Sequence, residues 1–283
     1  MLDGVSHVLL ESAKPLFGDA VGRGVLGELD ELRERGIRTA LLFHGSDLRD
    51  PLAHRARERH SPYAAGQWRL TPALTARSQQ ARTLIERAGV PVFVSTPDLL
   101  LDAPLATWLP VVVDPARWGA HSVPLAHGGR PIVAHVPSTA IVKGTNLIES
   151  TLRALDAEGL IEYRRIEGLP SIAMPAAYGA AGIVLDQFRI GSYGVAACEA
   201  MAAGRIVVSH VSEQVRSAVA DATGLSVPIA QAEADTLDAV LRAIVDDPSE
   251  AVACAAHGAE FVTIVHDGSA SAAALALFVT ATA

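Results

Sequence analysis

The sequence is poor in cysteine and in lysine. Two cysteines among 283 residues, Cys198 and Cys254, supply neither a disulfide framework nor a zinc-ligand spacing, which points to a reducing, cytoplasmic setting. Only Lys14 and Lys143 among the 23 basic residues are lysines, so a lysine in a motif carries some information here. No basic region precedes the short apolar run near the N-terminus, and no stretch reaches ~18 uninterrupted apolar residues. Neither export nor a transmembrane segment is therefore expected. Nor is there an excess of positive charge: the formal net charge is −8, with 14 basic against 14 acidic residues before Gly129 and 9 against 17 after it. Nucleic-acid binding draws most of its affinity from phosphate neutralisation, so a nucleic acid is excluded as the expected partner.

What is present is a globular α/β chain. Half of the residues are hydrophobic and mean hydropathy is +0.29, which excludes disorder and fibrous repeats. Short β-branched runs alternate with amphipathic runs that end in glycine, the order of parallel strands joined by helical crossovers. In the first half the pattern predicts strands at Val5–Leu10, Ile37–Phe43, Pro91–Ser95 and Trp108–Val113. Helices are expected at Val25–Arg35 and from Pro72, capped by Thr71. Residues 114–130 are rich in Gly, Pro, Ala and His without periodicity and read as an interdomain connection. The alternation then restarts, with strands at Ile132–Val136, Leu160–Arg164, Ile183–Asp186 and Arg205–Ser209. Thr145–Glu158, Pro175–Ala181, Tyr193–Ala203, Asp235–Val245 and Ala251–Val265 read as helices, and the apolar C-terminal tail as a packed one. The expected organisation is two Rossmann-like units, 1–128 and 129–283.

Gly22-Arg23-Gly24-Val25-Leu26-Gly27 is formally a dinucleotide fingerprint. The first glycine of such a motif must directly follow a strand, and the preceding predicted strand ends at Leu10, so a glycine-rich loop before a helix is the better reading. His44, in His44-Gly45-Ser46-Asp47, falls at the carboxyl end of a predicted parallel strand, the edge where open α/β sheets bind ligands. It either bonds loop backbone or faces a substrate. No second His or Cys stands at a metal-ligand spacing, so no metal is expected. His54, His60, His121 and His127 lie in polar, loop-like stretches and are expected to be solvated.

The second half carries a sharper constellation. Residues 136–145 run from a strand end to a helix start with Lys143-Gly144 just before the helix, a setting that suits a phosphate. Asp186–Gly194 forms a second strand-end loop, in which Gly191 and Gly194 would let backbone amides approach an anion and Arg189 could neutralise it. Glu199 lies among Ala196, Ala197, Ala200 and Ala203, where a carboxylate needs either a structural partner or a ligand hydroxyl.

The stretch from His135 to Ser209, above all Lys143-Gly144, Glu167-Gly168-Leu169-Pro170, Met174-Pro175, Tyr178 and Gly191–Gly204, resembles the nucleotide-sugar-binding domain of family-4 glycosyltransferases. Phe43-His44-Gly45-Ser46-Asp47 is similar to that family's His-Gly segment facing the cleft. The resemblance implies a GT-B fold of two Rossmann-like domains, and transfer of a sugar from a nucleotide-diphosphate donor with retention and without a bound cofactor or metal. By position, Lys143 matches the residue that contacts the diphosphate, Glu199 the one that holds the ribose, and His44 the acceptor-side residue near the sugar and thus the candidate catalytic group. Gly144, Arg189, Gly191, Ser192, Tyr193 and Gly194 complete the donor loops, with Leu169 and Met174 as neighbours of the base.

The chain departs from the pattern in three places. The first of the family's two carboxylates falls at Gly191, the arginine before the phosphate lysine falls at Ser138, and the first domain lacks its opening elements and is expected to be incomplete. A domain of that kind would take ~150–180 residues. These departures favour an alternative, a catalytically weak or inactive GT-B module that binds a nucleotide or a partner protein. A third reading, a nicotinamide-dependent oxidoreductase, rests on Gly22–Gly27 alone.

Overall fold

The structure, a computed structural model, describes residues 2–18, 24–122 and 129–280. Its first half is a four-stranded parallel sheet of β1 (His7–Glu11), β2 (Arg38–Phe43), β3 (Val92–Val94) and β4 (Thr107–Trp108), in that order. Helix α1 (Gly24–Glu34) connects β1 to β2, and α2 (Pro51–Arg57) and α3 (Thr71–Ala88) lead from β2 to β3. The helices cover the sheet because their apolar positions recur every three or four residues. Leu29 of α1 and Ala81, Leu84 and Ala88 of α3 close over Leu41, Phe43 and Val94. Thr71 does not cap α3 as expected. It lies inside the first turn, its hydroxyl donates to the Trp68 carbonyl at 2.7 Å, and no side chain caps the helix.

Strand β4 is shorter than the apolar run 108–113 predicts. Its last ladder contact is the Leu109 amide donating to the Val94 carbonyl at 2.8 Å, and Pro110 has no N–H to continue it. The connection after it is not irregular throughout. Asp114 accepts from the amides of Ala116 and Arg117, Pro115 opens the helix, and α4 (Pro115–Gly119) buries Trp118 against Tyr178 at a ring separation of 5.3 Å. His127 and residues Gly22 and Arg23 of the glycine-rich motif lie outside the described residues.

The second half is a five-stranded parallel sheet of β5 (Ile132–His135), β6 (Glu162–Arg165), β7 (Ile183–Leu185), β8 (Ile206–Ser209) and β9 (Ala230–Gln231), ordered β6-β5-β7-β8-β9. The order reverses at β5, which creates a crevice at the carboxyl edge between β5 and β7. Short α5 (Ala140–Lys143) and α6 (Thr145–Ala157) follow β5, α7 (Met174–Ala180) precedes β7, and α8 (Val195–Ala202) follows it. Ile148, Leu152 and Leu155 of α6 seat on Val133, Ile183 and Leu185. Helix α9 (Glu213–Thr223) escaped the sequence reading: Ser212 caps it by accepting the Val215 amide, but its buried stripe is only Val215 and Val219, too few to show a period.

Helices α10 (Leu237–Asp246), α11 (Ser249–Phe261) and α12 (Ser269–Thr280) end the described chain, with a π-helical turn at Val262–His266 between the last two. That turn anchors the linker. The His266 ring bonds the Val111 carbonyl at 2.8 Å and the Tyr193 hydroxyl at 3.3 Å, while the His266 carbonyl accepts the Val113 amide at 2.8 Å. Helix α12 then returns to the first sheet, where Phe278 packs on Ala40, Leu42 and Phe93. The helical run Ser249–Thr280 is long and apolar enough by composition to cross a membrane, contrary to what uninterrupted apolar length suggests. Here it packs through Ala251, Ala255, Phe261 and Phe278.

Candidate donor-binding site

The β5–α5 loop and the β7–α8 loop meet at the crevice. Lys143, at the end of α5, is buried and pairs with Asp186, which is 1% exposed. The other Asp186 oxygen accepts the Gly194 amide at 3.1 Å, so one carboxylate fixes the lysine and the start of α8 together. No side chain caps α8, and its first turn presents amide donors beside the ammonium group. Gly144 holds φ +76° between α5 and α6, and a Cβ there would lie 3.1 Å from Arg189 Cγ, so only glycine lets the two loops approach this closely. Behind them His135 is buried between the Leu185 carbonyl at 3.3 Å and the Thr145 hydroxyl at 2.9 Å. Burial pushes its pKa down to about 4, which keeps the ring neutral beside Lys143.

Glu199 stands one turn into α8, and its carboxyl makes no hydrogen bond or ion pair with any described residue. It borders a cavity of about 200 Å³ lined also by Val112, Asp114, Arg117, Trp118, Met174 and Val195. Burial lifts its pKa to about 7, against the opposing pull of Arg117 and Lys143. A carboxyl this desolvated without a partner is poised to accept hydroxyl donors. Arg117 was not foreseen. It donates to the Ser171 carbonyl at 3.0 Å and lies 5.7 Å from the Trp118 ring. Met174 lines the cavity, whereas Leu169 is exposed outside it.

Other expected donor residues are turned to different work. Arg189 does not face open solvent: its guanidinium donates to the carbonyls of His60 and Ser61 and to the side chains of Gln67 and Asn146 at 3.1–3.5 Å. Being 2% exposed, it ties the second half to the first and is not free to meet an anion. Tyr193 is a core residue whose ring packs on Phe261 and His266. Ser192 is buried against Asp98 of the first half. Gly191 has φ +68° and lies beneath the Glu58 carboxylate.

On the first-half side, His44 is exposed at the carboxyl end of β2. Its amide is held by Asp47 at 3.1 Å and its ring bonds the Ser95 hydroxyl at 3.1 Å. The ring thus bonds a side-chain hydroxyl and not loop backbone, and its Nε2 lies 3.7 Å from Glu11 at the surface. His54 is not solvated. It is 2% exposed, with Nδ1 2.8 Å from the Ser61 hydroxyl and Nε2 3.2 Å from the Ile190 carbonyl. A carbonyl only accepts, so Nε2 carries the proton, and burial beside Arg49 holds the pKa at about 4. Among the described residues no cluster of three His, Cys, Asp or Glu side chains could hold a metal ion. The glycine-rich stretch is separated from its strand: β1 ends at Glu11 and α1 begins at Gly24. Gly24–Leu26 instead line a cavity of about 930 Å³ with Lys14 and Arg77.

Two tandem parallel sheets, a linker between them and a last helix that recrosses to the first define the GT-B fold, and solved structures agree. The chain is similar to a sucrose-phosphate synthase from Thermosynechococcus elongatus, with a TM-score of 0.57 and 14% identity over 98% of this chain and 73% of that one. It is likewise similar to Staphylococcus aureus TarM solved with UDP and other ligands (TM-score 0.61, 12% identity, 90% of this chain and 53% of that one). An Anabaena HepE solved with UDP and glucose aligns at a TM-score of 0.57 and 12% identity over 95% of this chain and 85% of that one. The chain therefore spans roughly half to five-sixths of these relatives' lengths. No protein-family model and no curated protein matches the sequence.

Proposed function

We propose that the chain is a glycosyltransferase that takes a nucleotide-diphosphate sugar at the carboxyl edge of its second sheet and transfers the sugar with retention. The observation that carries this reading is the joining of Lys143 to the uncapped start of α8 through Asp186, with the unpaired Glu199 carboxyl on the same helix. Lys143 and the first-turn amides would hold the diphosphate and stabilise its departure, since preorganised donors are worth most where charge develops. Glu199 would accept the ribose hydroxyls, with the base against Met174. His44 would orient the sugar, and no metal or cofactor is called for by this donor set. The paucity of cysteine supports a cytoplasmic setting. Fold neighbours that bind UDP lend support to the donor class.

A second reading, a module that binds nucleotide but transfers poorly, is favoured by the burial of Arg189, Gly191 and Ser192 under the first half. Calorimetry with UDP, GDP and NAD tests the donor class: binding of a nucleoside diphosphate but not NAD supports it, and NAD alone would refute it. A donor-hydrolysis assay then separates the two readings. Under the first, His44→Ala lowers turnover and leaves nucleotide affinity intact.

A further inference from the structure

The β7–α8 loop is covered by a segment of the first half, residues 54–67, through contacts that need no ligand. His54 donates to the Ile190 carbonyl, and Arg189 reaches back to the carbonyls of His60 and Ser61 and to Gln67. Arg59 and His60 both meet Asp235 beyond β9, at 2.7 and 3.5 Å. At the centre of this strap, Glu58 lies over Gly191. A Cβ built on Gly191 would fall 2.1 Å from Glu58 Oε1 and 2.6 Å from its Cδ, so any side chain there would force the carboxylate or the loop to shift.

The Glu58 carboxylate is itself fixed. Its side chain is only 10% exposed, and His210 Nε2 donates to it at 2.6 Å. The Gln231 amide lies 3.0 Å from His210 Nδ1, which assigns the His210 proton to Nε2. A buried carboxylate with one short partner is costly to displace unless what replaces it also donates hydrogen bonds.

We propose that Glu58 is a stopper for the donor site. It covers Gly191, three residues before the Gly194 amide that Asp186 joins to Lys143, and so the resting chain accepts a nucleoside diphosphate but excludes the sugar of a nucleotide sugar. Admission of the sugar requires the Glu58–His210 contact to open and the strap to lift from the loop. This rests on the reading of the Lys143–Glu199 region as a nucleoside-diphosphate site. The strap itself stands on contacts independent of that reading.

Calorimetry of the full chain with UDP and with UDP-glucose, repeated on Glu58→Ala, tests the stopper. The wild type should bind UDP at least tenfold more tightly than UDP-glucose, and Glu58→Ala should narrow that gap to within about threefold, chiefly by improving UDP-glucose. Should Glu58→Ala fail to fold, Glu58→Asp, which retracts the carboxylate by one methylene, should narrow the gap in the same direction. An unchanged gap alongside normal UDP binding overturns the stopper and leaves the nucleotide reading standing. Absence of UDP binding in every variant overturns both. The contact has its own check: Gly191→Ala should lower the melting temperature several degrees more with Glu58 present than in a Glu58→Ala background, and equal losses would overturn it.

Discussion

Asp186 divides its two carboxylate oxygens between the parts of the candidate phosphate site, one taking the Lys143 ammonium and the other the Gly194 amide. The lysine is therefore neutralised before any anion arrives. A phosphate would add to a paired charge, so the site relies as much on fixed geometry as on attraction.

Removing either member of that pair leaves the other charge buried and unpaired. Asp186→Asn is expected to destabilise the fold by about 3–5 kcal/mol, the scale for a buried charge left without its partner, as read by urea unfolding. Lys143→Ala, which orphans the Asp186 carboxylate, should destabilise the fold on the same scale, and the folded protein should bind UDP about 1.5–3 kcal/mol more weakly with uridine binding little changed.

Glu199 sets a pH dependence of opposite sign to that of ordinary paired carboxylates. Its folded pKa of about 7 exceeds the ordinary 4.5, so between those values the folded chain holds a proton that the unfolded chain releases. This contribution to stability is present below pH 4.5 and fades as pH rises through 7. Glu199→Gln should thus raise the melting temperature at pH 8 and change it little at pH 4.5. The same variant should bind UDP about tenfold more weakly, ~1.4 kcal/mol, without an equal loss for 2′,3′-dideoxy-UDP. In the wild type, UDP binding near pH 7 should release a proton, measurable by calorimetry in buffers of different ionisation enthalpy.

Three buried histidines make the fold acid-sensitive. His54, His135 and His266 each fall from 6.5 to about 4, so they stay neutral when folded while the unfolded chain takes up protons. Stability is complete above about pH 6.5 and is lost as pH drops toward 4, by up to about 3 kcal/mol per histidine. Urea midpoints taken from pH 7 to pH 4.5 should fall steeply, and His54→Gln should flatten the slope.

Phe278→Ala should cost about 3–5 kcal/mol, the range for deleting a buried phenyl ring. Hydrogen exchange should show the loss in β2 and β3, against which the ring packs, and not in β7 or β8.

The strands were legible because parallel strands buried on both faces are continuous apolar runs, as in Ala40–Phe43 and Ile206–Val208. Lys143 stood out by rarity and by its place before a helix, and Glu199 by its alanine neighbours. Arg117 and Trp118 were hidden in a stretch without periodicity, since a five-residue helix shows no repeat. The buried roles of His54, Glu58 and Arg189 depend on contacts more than a hundred residues apart in sequence. Polar composition around His54 suggested solvent, whereas Ser61 and Tyr63 of its own half and Ile190 of the other enclose it.

Helix α12 carries a consequence for how the molecule comes into being. The face of the first sheet formed by Ala40, Leu42 and Phe93 is closed by Phe278, which a ribosome adds only after the entire second sheet has been synthesised. The first half thus emerges with an apolar wall that stays open until the second half has been made. A nascent chain halted anywhere before Ser269 should expose that wall, and the order of synthesis makes completion of the earlier-made half wait on the later-made one.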